Sequence, residues 1–140
     1  MHQSGFFEYK VEWNEEDMLE AKTAFSNGRY SGINKTYDSA ARIHAFALEL
    51  MDFYTNKKPL NYELGVRNGY SYLSLNVFFA ESNGAVGIRI YSEDAVSENE
   101  NSETRSIIQL EIRTETEALQ HFAKQLMTIS ANRSGTARIN

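Results

Sequence analysis

Two histidines, His44 and His121, lie on stretches with helical periodicity and are the side chains best suited to acid–base chemistry. Two histidines that face one cleft can act as general base and general acid in metal-free hydrolysis. They are 77 residues apart, whereas the similar segments around them, AFALELM and HFAKQLM, recur at a spacing of 76 residues. Because they are not equivalent in this repeat and no carboxylate is placed to orient either ring, we favour histidines at the rim of a helix layer.

Motifs of known catalytic and metal chemistry are absent from the chain. There is no GxSxG nucleophile elbow, no GxxxxGK[ST] phosphate loop, no HExxH motif and no GxGxxG. There is no cysteine, which excludes disulfides, thiolate metal sites and thiol catalysis. The acidic segment SEDAVSENENSET suits a loosely bound calcium ion, but we favour a mobile, solvated loop over residues 93–104. The sequence therefore predicts no catalytic residue, no metal site and no cofactor.

Aromatic and arginine side chains fall on the solvent side of several predicted strands. These residue types are enriched at protein interfaces. The candidate partner-binding residues are Phe6, Tyr72, Phe78, Arg89, Tyr91 and Arg113. The alternative is that Phe78 and Tyr91 form an ordinary cross-strand pair that stabilises a hairpin.

Seven segments alternate apolar and polar residues with the period of a β-strand. They cover residues 6–13, 19–25, 29–37, 60–67, 70–80, 85–92 and 106–113. Asn-Gly pairs at residues 27–28, 68–69 and 83–84 predict tight type I′ hairpin turns. Clean alternation is typical of strands packed on one face and solvated on the other. We therefore expect a mainly antiparallel sheet.

Two segments carry the apolar stripe of an amphipathic helix, at residues 40–55 and 115–130. The first begins after Asp38 or Ser39 as N-cap, and it ends where Asn56 can adopt the left-handed conformation. The second begins with TETE, residues 114–117, which fits a capping box. The tail, residues 132–140, lacks periodicity and is predicted to be frayed.

These elements predict an α+β two-layer sandwich with the order βββα-ββββα. A six- or seven-stranded, mainly antiparallel sheet carries two helices side by side on one face. The chain forms one domain over residues 1–140, with an ordered core over about residues 5–131. A duplication of the two halves stays open, because only the helix and the strand before it align at the 76-residue spacing.

Composition excludes several classes of protein. The chain is 41% hydrophobic and 24% charged, which is typical of a globular protein. A net charge of −5 argues against general nucleic-acid binding. It suits a basic protein partner, but we favour the alternative that mild acidity serves solubility alone. No apolar run is long enough to span a membrane, and the first residues do not resemble a signal peptide. We therefore expect a cytoplasmic protein without membrane association.

The segments RYSGINKTYDSAARIHAFALELMDF, AVGIRIYSED and IIQLEIRTETEALQHFAKQLMTI form a pattern over residues 29–129. A strand-Gly-strand unit, a helix, a meander, and a last strand followed by a capped helix resemble small immunity proteins of bacterial contact-dependent and polymorphic toxin systems. The resemblance implies a small cytoplasmic antidote that binds and blocks a cognate toxin domain without catalysis. No functional residue carries over by position.

Three functions stay open on the sequence alone. The first is a non-enzymatic protein-interaction module, with an immunity-type inhibitor of a basic toxin domain as its narrower form. The second is a small-molecule-binding protein with a pocket between helices and sheet or at a dimer interface. The third is a hydrolase or nuclease that uses His44 and His121. A homodimer through the wet sheet face is a further possibility.

Overall fold

The described part of the chain forms eight strands and three helices. The structure is a computed structural model that describes residues 5–67, 69–80, 84–95 and 105–140. The first half contains β1 (Phe6–Glu15), β2 (Met18–Ser26), β3 (Ser31–Asp38), α1 (Ala40–Met51), α2 (Phe53–Asn56) and β4 (Leu60–Gly65). The second half contains β5 (Ser71–Phe79), β6 (Ala85–Ala95), β7 (Arg105–Glu115), α3 (Thr116–Asn132) and β8 (Thr136–Ile139).

The strands pair into two four-stranded antiparallel sheets. Sheet A has the order β3-β2-β1-β8, and sheet B has the order β4-β5-β6-β7. The predicted α+β class, with antiparallel strands and two helices packed against each other, is confirmed. The strand count differs from the prediction: two sheets of four replace one of six or seven. Alternation reveals which face of a strand is buried but not which strands pair.

Apart from the four-residue α2, the element order βββαβ occurs twice along the described chain. Each half supplies three consecutive strands to one sheet and its last strand to the edge of the other sheet. Strand β8 pairs with β1, and β4 pairs with β5. The two halves therefore exchange their edge strands.

The cross-strand registers of the two sheets also correspond. In sheet A one buried row runs Ala137–Tyr9–Thr23–Asn34. In sheet B the equivalent row runs Tyr62–Leu75–Ile90–Leu110. The helices also begin at equivalent points, because the N-caps Ser39 and Glu115 are 76 residues apart. The repeated spacing in the sequence thus belongs to a whole strand–helix unit.

The core lies between the pair of long helices and the inner faces of both sheets. The predicted buried helix stripes are confirmed except at Tyr54, which the helical spacing also turns inward but which is exposed. Their equivalent members are Ile43, Phe46, Ala47 and Leu50 on α1, and Leu119, Phe122, Ala123 and Leu126 on α3. Phe46 stacks on Tyr62 of β4 with ring centroids 4.2 Å apart, and Phe122 contacts Phe7 of β1 edge-on at 6.0 Å. Each helix therefore packs on a different sheet.

The first helix is shorter than predicted. Ser39 is its N-cap, and the side chain accepts a hydrogen bond from the backbone N–H of Arg42. The helix ends at Met51, and the single turn α2 follows, so one helix over residues 40–55 is wrong. The redirected chain buries Phe53 against Phe79 at a centroid distance of 4.6 Å. Lys57, not Asn56, adopts the left-handed conformation.

The end of the chain and the start of α3 also differ from the prediction. The N-cap of α3 is Glu115 with no side-chain cap, so the capping box at residues 114–117 is wrong. Thr114 belongs to β7, and its hydroxyl donates to the carbonyl of Asn140 at 2.8 Å. The frayed tail is wrong too, because β8 places Ala137 and Ile139 in the core. This pairing joins residues far apart in sequence, which no local pattern reports.

The hairpins predicted around the Asn-Gly pairs are confirmed, but the two-residue turn is wrong at residues 27–30. There the connection spans four residues, and the Asn27 side chain accepts from the backbone N–H groups of Arg29 and Tyr30. Asn68 and Asn83 lie outside the described residues. The two-residue connection is instead Glu16-Asp17 between β1 and β2, with Glu16 at a positive φ of 50°.

Part of the predicted acidic loop is a strand. Residues 93–95 complete β6, and the side chain of Glu93 is buried. The prediction of a mobile loop is therefore wrong for these residues, and residues 96–104 lie outside the described chain. Within the described ranges, no helix has both the length and the apolarity required to cross a bilayer.

Candidate functional site

A groove opens where β3 of sheet A meets the β4–β5 connection of sheet B. Its volume is about 770 Å³. It is lined by Glu20, Ile33, Lys35, Thr36, Tyr37, Gly65, Val66, Gly69, Tyr70, Ser71 and Asp94. One wall is the outer face of β3, and the other is formed by Val66, Gly69 and Tyr70 of the β4–β5 connection.

Large apolar side chains are exposed on both walls. Ile33 and Tyr37 of β3 are each 58% exposed, and Val66 and Tyr70 are 71% and 60% exposed. A strand alternates its side chains between two faces, so these β3 residues point away from the core while their neighbours point inward. Contiguous exposed apolar surface marks an interaction site on a folded domain.

The groove depends on a glycine at the end of β4. Gly65 has a φ of +77°, and a Cβ there would collide with the carbonyl oxygen of Ser71. The backbone can therefore turn closely at the base of the connection only without a side chain.

Replacing Gly65 with alanine is expected to lower the free energy of unfolding by about 3 kcal/mol, because left-handed strain and a backbone clash add. Gly84→Ala is the matched control, since Gly84 has a φ of +94° and no atom of the described residues lies within 4 Å of the added Cβ. Strain alone should cost about 1 kcal/mol there. Urea unfolding of both variants measures the difference, and equal losses would refute the clash.

A buried amide fastens β3 to sheet B. Asn34 is 1% exposed, and its Nδ2 donates to the carbonyls of Tyr72 and Glu93 and to Ser92 Oγ at 3.1, 3.2 and 2.8 Å. Its Oδ1 accepts from Ser71 Oγ at 3.0 Å. One side chain thus holds the wall of the groove against two strands of the other sheet.

A buried carboxylate lies at the other end of β3. Asp38 accepts hydrogen bonds from the hydroxyls of Tyr9 and Tyr62 at 2.7–2.9 Å and from the backbone N–H of Ser39 at 2.8 Å. Arg42 lies 3.6 Å away. Burial raises the pKa of Asp38 above its ordinary value, although these hydrogen bonds and Arg42 oppose the shift. Burial and the charge of Asp38 raise the pKa of both tyrosines.

The raised pKa of Asp38 predicts how stability depends on pH. The stabilisation from the protonated carboxyl is fully present below the unfolded pKa of 3.8 and is lost as pH rises through the folded pKa. Asp38→Asn cannot titrate, so the stability of the wild type relative to this variant should fall as pH rises above about 4. Urea unfolding across that range tests it. A relative stability that instead rises with pH would mean that the hydrogen bonds and Arg42 dominate.

The inward-facing residues of β3 differ in type from the equivalent residues of the second half of the chain. They are polar where β7 carries mainly apolar residues: Asn34, Thr36 and Asp38 correspond to Leu110, Ile112 and Thr114. The hydroxyl of Thr36 is buried and has no hydrogen-bond partner among the residues that the structure describes. The outward row exposes Ile33 and Tyr37 while the inward row is polar, which reverses the usual arrangement at the wall of the groove.

Five of the six candidate residues from the sequence share the outer face of sheet B, on β5, β6 and β7. Phe78 opposes Gly87 and Tyr91 opposes Ser74, so the expected pair of Phe78 and Tyr91 does not form. Tyr91 instead contacts Tyr72 edge-on at 6.0 Å, and Tyr72 is only 7% exposed.

Most side chains on this face are engaged within the chain. Arg89 lies 4.9 Å from the centroid of the Phe78 ring, and a Cβ at Gly87 would press into that ring. Glu111 pairs with Arg89 at 3.3 Å and with Arg113 at 2.8 Å. The candidates are thus brought together, but largely as a self-contained network.

A buried acid joins this network to the β4–β5 connection. Glu93 is 2% exposed and lies 3.4 Å from Arg67 and 3.6 Å from Arg105. The hydroxyl of Tyr91 donates to it, and this hydrogen bond raises the pKa of Tyr91. The arginine of the connection is therefore directed away from the groove.

Phe6, the sixth candidate, lies apart from the others on β1 of sheet A. Arg138 of β8 covers its ring at 4.1 Å and contacts Glu8 at 3.3 Å. The residue is half-buried and supports the pairing of β1 with β8.

The structure gives little support to a ligand pocket between helices and sheets or to an active site built on His44 and His121. A cavity between the helices and the sheets has a volume of about 10 Å³, which is too small for a ligand. His44 and His121 are exposed on their helices, and neither lines the groove. Within the described residues, no group of three His, Cys, Asp or Glu side chains is placed to hold a metal ion.

Sequence reasoning missed the groove residues Ile33, Tyr37, Val66 and Tyr70. The alternation in GINKTYD would by polarity turn Ile33 and Tyr37 inward, and β3 does the opposite. Local polarity carries no signal for this reversal, because Asn34, Thr36 and Asp38 have the composition of a solvent-facing row. Comparison with known proteins finds no matching family model, curated protein or solved structure.

Proposed function

We propose that this protein is a non-enzymatic protein-interaction module whose partner binds in the groove between β3 and the β4–β5 connection. The observation that carries the proposal is the exposure of four large apolar side chains on its two walls. Removing such surface from water stabilises a complex by about 25 cal/mol per Å². Aromatic side chains at the centre of a concave surface are typical anchors of protein interfaces.

An immunity-type inhibitor that acts in the cytoplasm and blocks a basic toxin domain is the narrower form of the proposal. The net charge of −5 supports a basic partner through electrostatic steering. Inhibition requires no catalytic group, and a wall of β3 held rigidly by Asn34 limits the entropy lost on binding.

Site-specific crosslinking tests the groove directly. A photoreactive amino acid replaces Tyr37 or Tyr70 in cells, and mass spectrometry identifies the crosslinked protein. Tyr54 on α2 is the matched control, because it is the same residue type with the same 58% exposure as Tyr37 but does not line the groove. We expect one protein crosslinked from positions 37 and 70 and none from position 54.

Equal crosslinking from all three positions, or none from the groove, would reject the groove as the partner site. For the narrower form, the crosslinked partner should arrest growth when expressed alone, and co-expression of this protein should relieve the arrest. A crosslinked partner that is not toxic would be consistent with an interaction module but would rule out the immunity function.

A small molecule is the second candidate occupant, since the volume of the groove lies in the range of ligand sites. Native mass spectrometry of the purified chain distinguishes a bound small molecule from a protein partner. A bound small molecule that is lost in Tyr37→Ala would favour this function.

A further inference from the structure

We propose that the occupant of the groove is a segment of a partner protein that inserts an arginine between a tyrosine and a carboxylate of this chain. The inference rests on the proposed function and names the chemistry of the partner. It comes from a contact that recurs in this structure, in which an arginine covers an aromatic ring and contacts a carboxylate. Among the described residues of the groove, the ring and the carboxylate are present without the arginine.

Four arginines in the structure each cover an aromatic ring and contact an adjacent carboxylate. The sets are Arg42 with Tyr62 and Asp38, Arg67 with Tyr91 and Glu93, Arg89 with Phe78 and Glu111, and Arg138 with Phe6 and Glu8. The guanidinium carbon lies 4.1–5.1 Å from the ring centroid. The nitrogen-to-oxygen distances are 3.3–3.6 Å. Guanidinium groups stack on aromatic faces and pair with carboxylates at the same time.

The groove also contains aromatic rings and carboxylates, but none of the arginines that the structure describes lies between them. Tyr37 lies directly opposite Glu20 on β2, and Tyr70 and Asp94 line the same groove. Both tyrosines are more than half exposed, and neither carboxylate forms an ion pair with another residue that the structure describes. Elsewhere on the sheets, Glu12 and Glu111 are matched by cations of the chain itself.

The cations near the groove do not fill this gap. Arg67 belongs to the connection that forms one wall, but its guanidinium contacts Glu93 and covers the ring of Tyr91. Lys35 is the cation of the lining, and within the described part of the chain it forms no ion pair with Glu20 or Asp94. Arg105 donates to the carbonyl of Gly69, but its guanidinium contacts Glu93. Two carboxylates and one ammonium among the lining residues make the lining net acidic, which complements a basic side chain.

An arginine from a partner would therefore meet a ring face, a carboxylate and apolar walls in one place. Its aliphatic stem would cover Ile33 or Val66, while its guanidinium stacks on Tyr37 and pairs with Glu20. A lysine would supply the charge but not the planar stack.

The test uses random twelve-residue peptides displayed on phage and selected on the full chain. Enriched peptides are synthesised, and their Kd values are measured by fluorescence anisotropy. We expect arginine beside a large apolar residue in the enriched peptides, and replacement of that arginine by lysine should weaken binding by about tenfold. Glu20→Gln should weaken binding by a similar factor and Asp94→Asn by a smaller one, whereas Glu49→Gln on the exposed face of α1 should not weaken it.

Variants of Tyr37 separate stacking from simple apolar contact. Tyr37→Phe keeps the ring and should retain the affinity, while Tyr37→Leu should lose about fivefold. Peptides without arginine that still lose affinity in Tyr37→Leu would overturn this inference and leave the proposed function standing. Peptides unaffected by every groove variant would overturn both. Self-association of the chain through the groove, with no peptide enriched, would also overturn the inference.

Discussion

Replacing Asn34 with alanine is expected to lower the free energy of unfolding by about 3 kcal/mol. The amide is 1% exposed and is the side chain through which β3 bonds to β5 and β6. Without it, the buried carbonyls of Tyr72 and Glu93 lose a donor that water cannot replace. A buried polar group left without a partner costs about 1–3 kcal/mol, and more than one is affected.

Urea unfolding followed by circular dichroism measures this loss, and Asn76→Ala provides the control. Asn76 also donates an amide hydrogen bond, to Asn61, but at the surface. Its replacement should change stability by no more than about 0.5 kcal/mol. Adding Ser71→Ala to Asn34→Ala should cost less than the separate losses combined, because the two side chains share a hydrogen bond. An Asn34 variant as stable as the Asn76 variant would contradict the role of this amide.

Removal of residues 135–140 is expected to lower the free energy of unfolding by more than about 5 kcal/mol, which approaches the whole stability of a small domain. Ile139 is 2% exposed and Ala137 is fully buried. Truncating one buried isoleucine to alanine alone costs about 2–5 kcal/mol. The shortened chain would also expose the edge of β1 and the inner face of the sheet around Phe7.

Thermal unfolding and dye binding to exposed apolar surface measure the outcome. If the shortened chain does not fold, Ile139→Ala supplies a graded measurement, with an expected loss of about 3 kcal/mol. Arg138→Ala is the control on the same strand, because its exposed contacts with Glu8 and Phe6 should contribute at most about 1 kcal/mol. A shortened chain within 1 kcal/mol of the full one would make β8 dispensable and restore the frayed tail predicted from sequence.

The sequence predicted the parts of the fold that local periodicity encodes. The buried stripes of α1 and α3 follow from spacing alone, as do the inward rows of β5 and β6, because each residue need only face the core. The division into two sheets is not encoded locally, since a strand in either arrangement shows the same alternation. Strand β8 is four residues long and pairs with residues 7–10, so neither its length nor its neighbours signal it.

The candidate site was less predictable, because the polarity of the β3 residues indicates the wrong orientation for that strand. Ile33 and Tyr37 have the composition of an inward row, and Asn34 and Asp38 that of an outward row. Only the long-range hydrogen bonds of Asn34 and the hydroxyls of Tyr9 and Tyr62 make the reverse orientation stable. Such partners are 24–59 residues distant in sequence, so no local pattern reports them.

The exchange of edge strands has a consequence for folding during synthesis. Strands β1, β2 and β3 emerge from the ribosome first, yet the edge strand of their sheet ends at Ile139. Until then the edge of β1 has no β-strand neighbour, which is the condition that favours pairing with other chains. Strand β4 also lacks a partner when it emerges, because β5, with which it pairs, is synthesised after it. A nascent chain should therefore stay open and dependent on chaperones until both halves have emerged, and then close both sheets together.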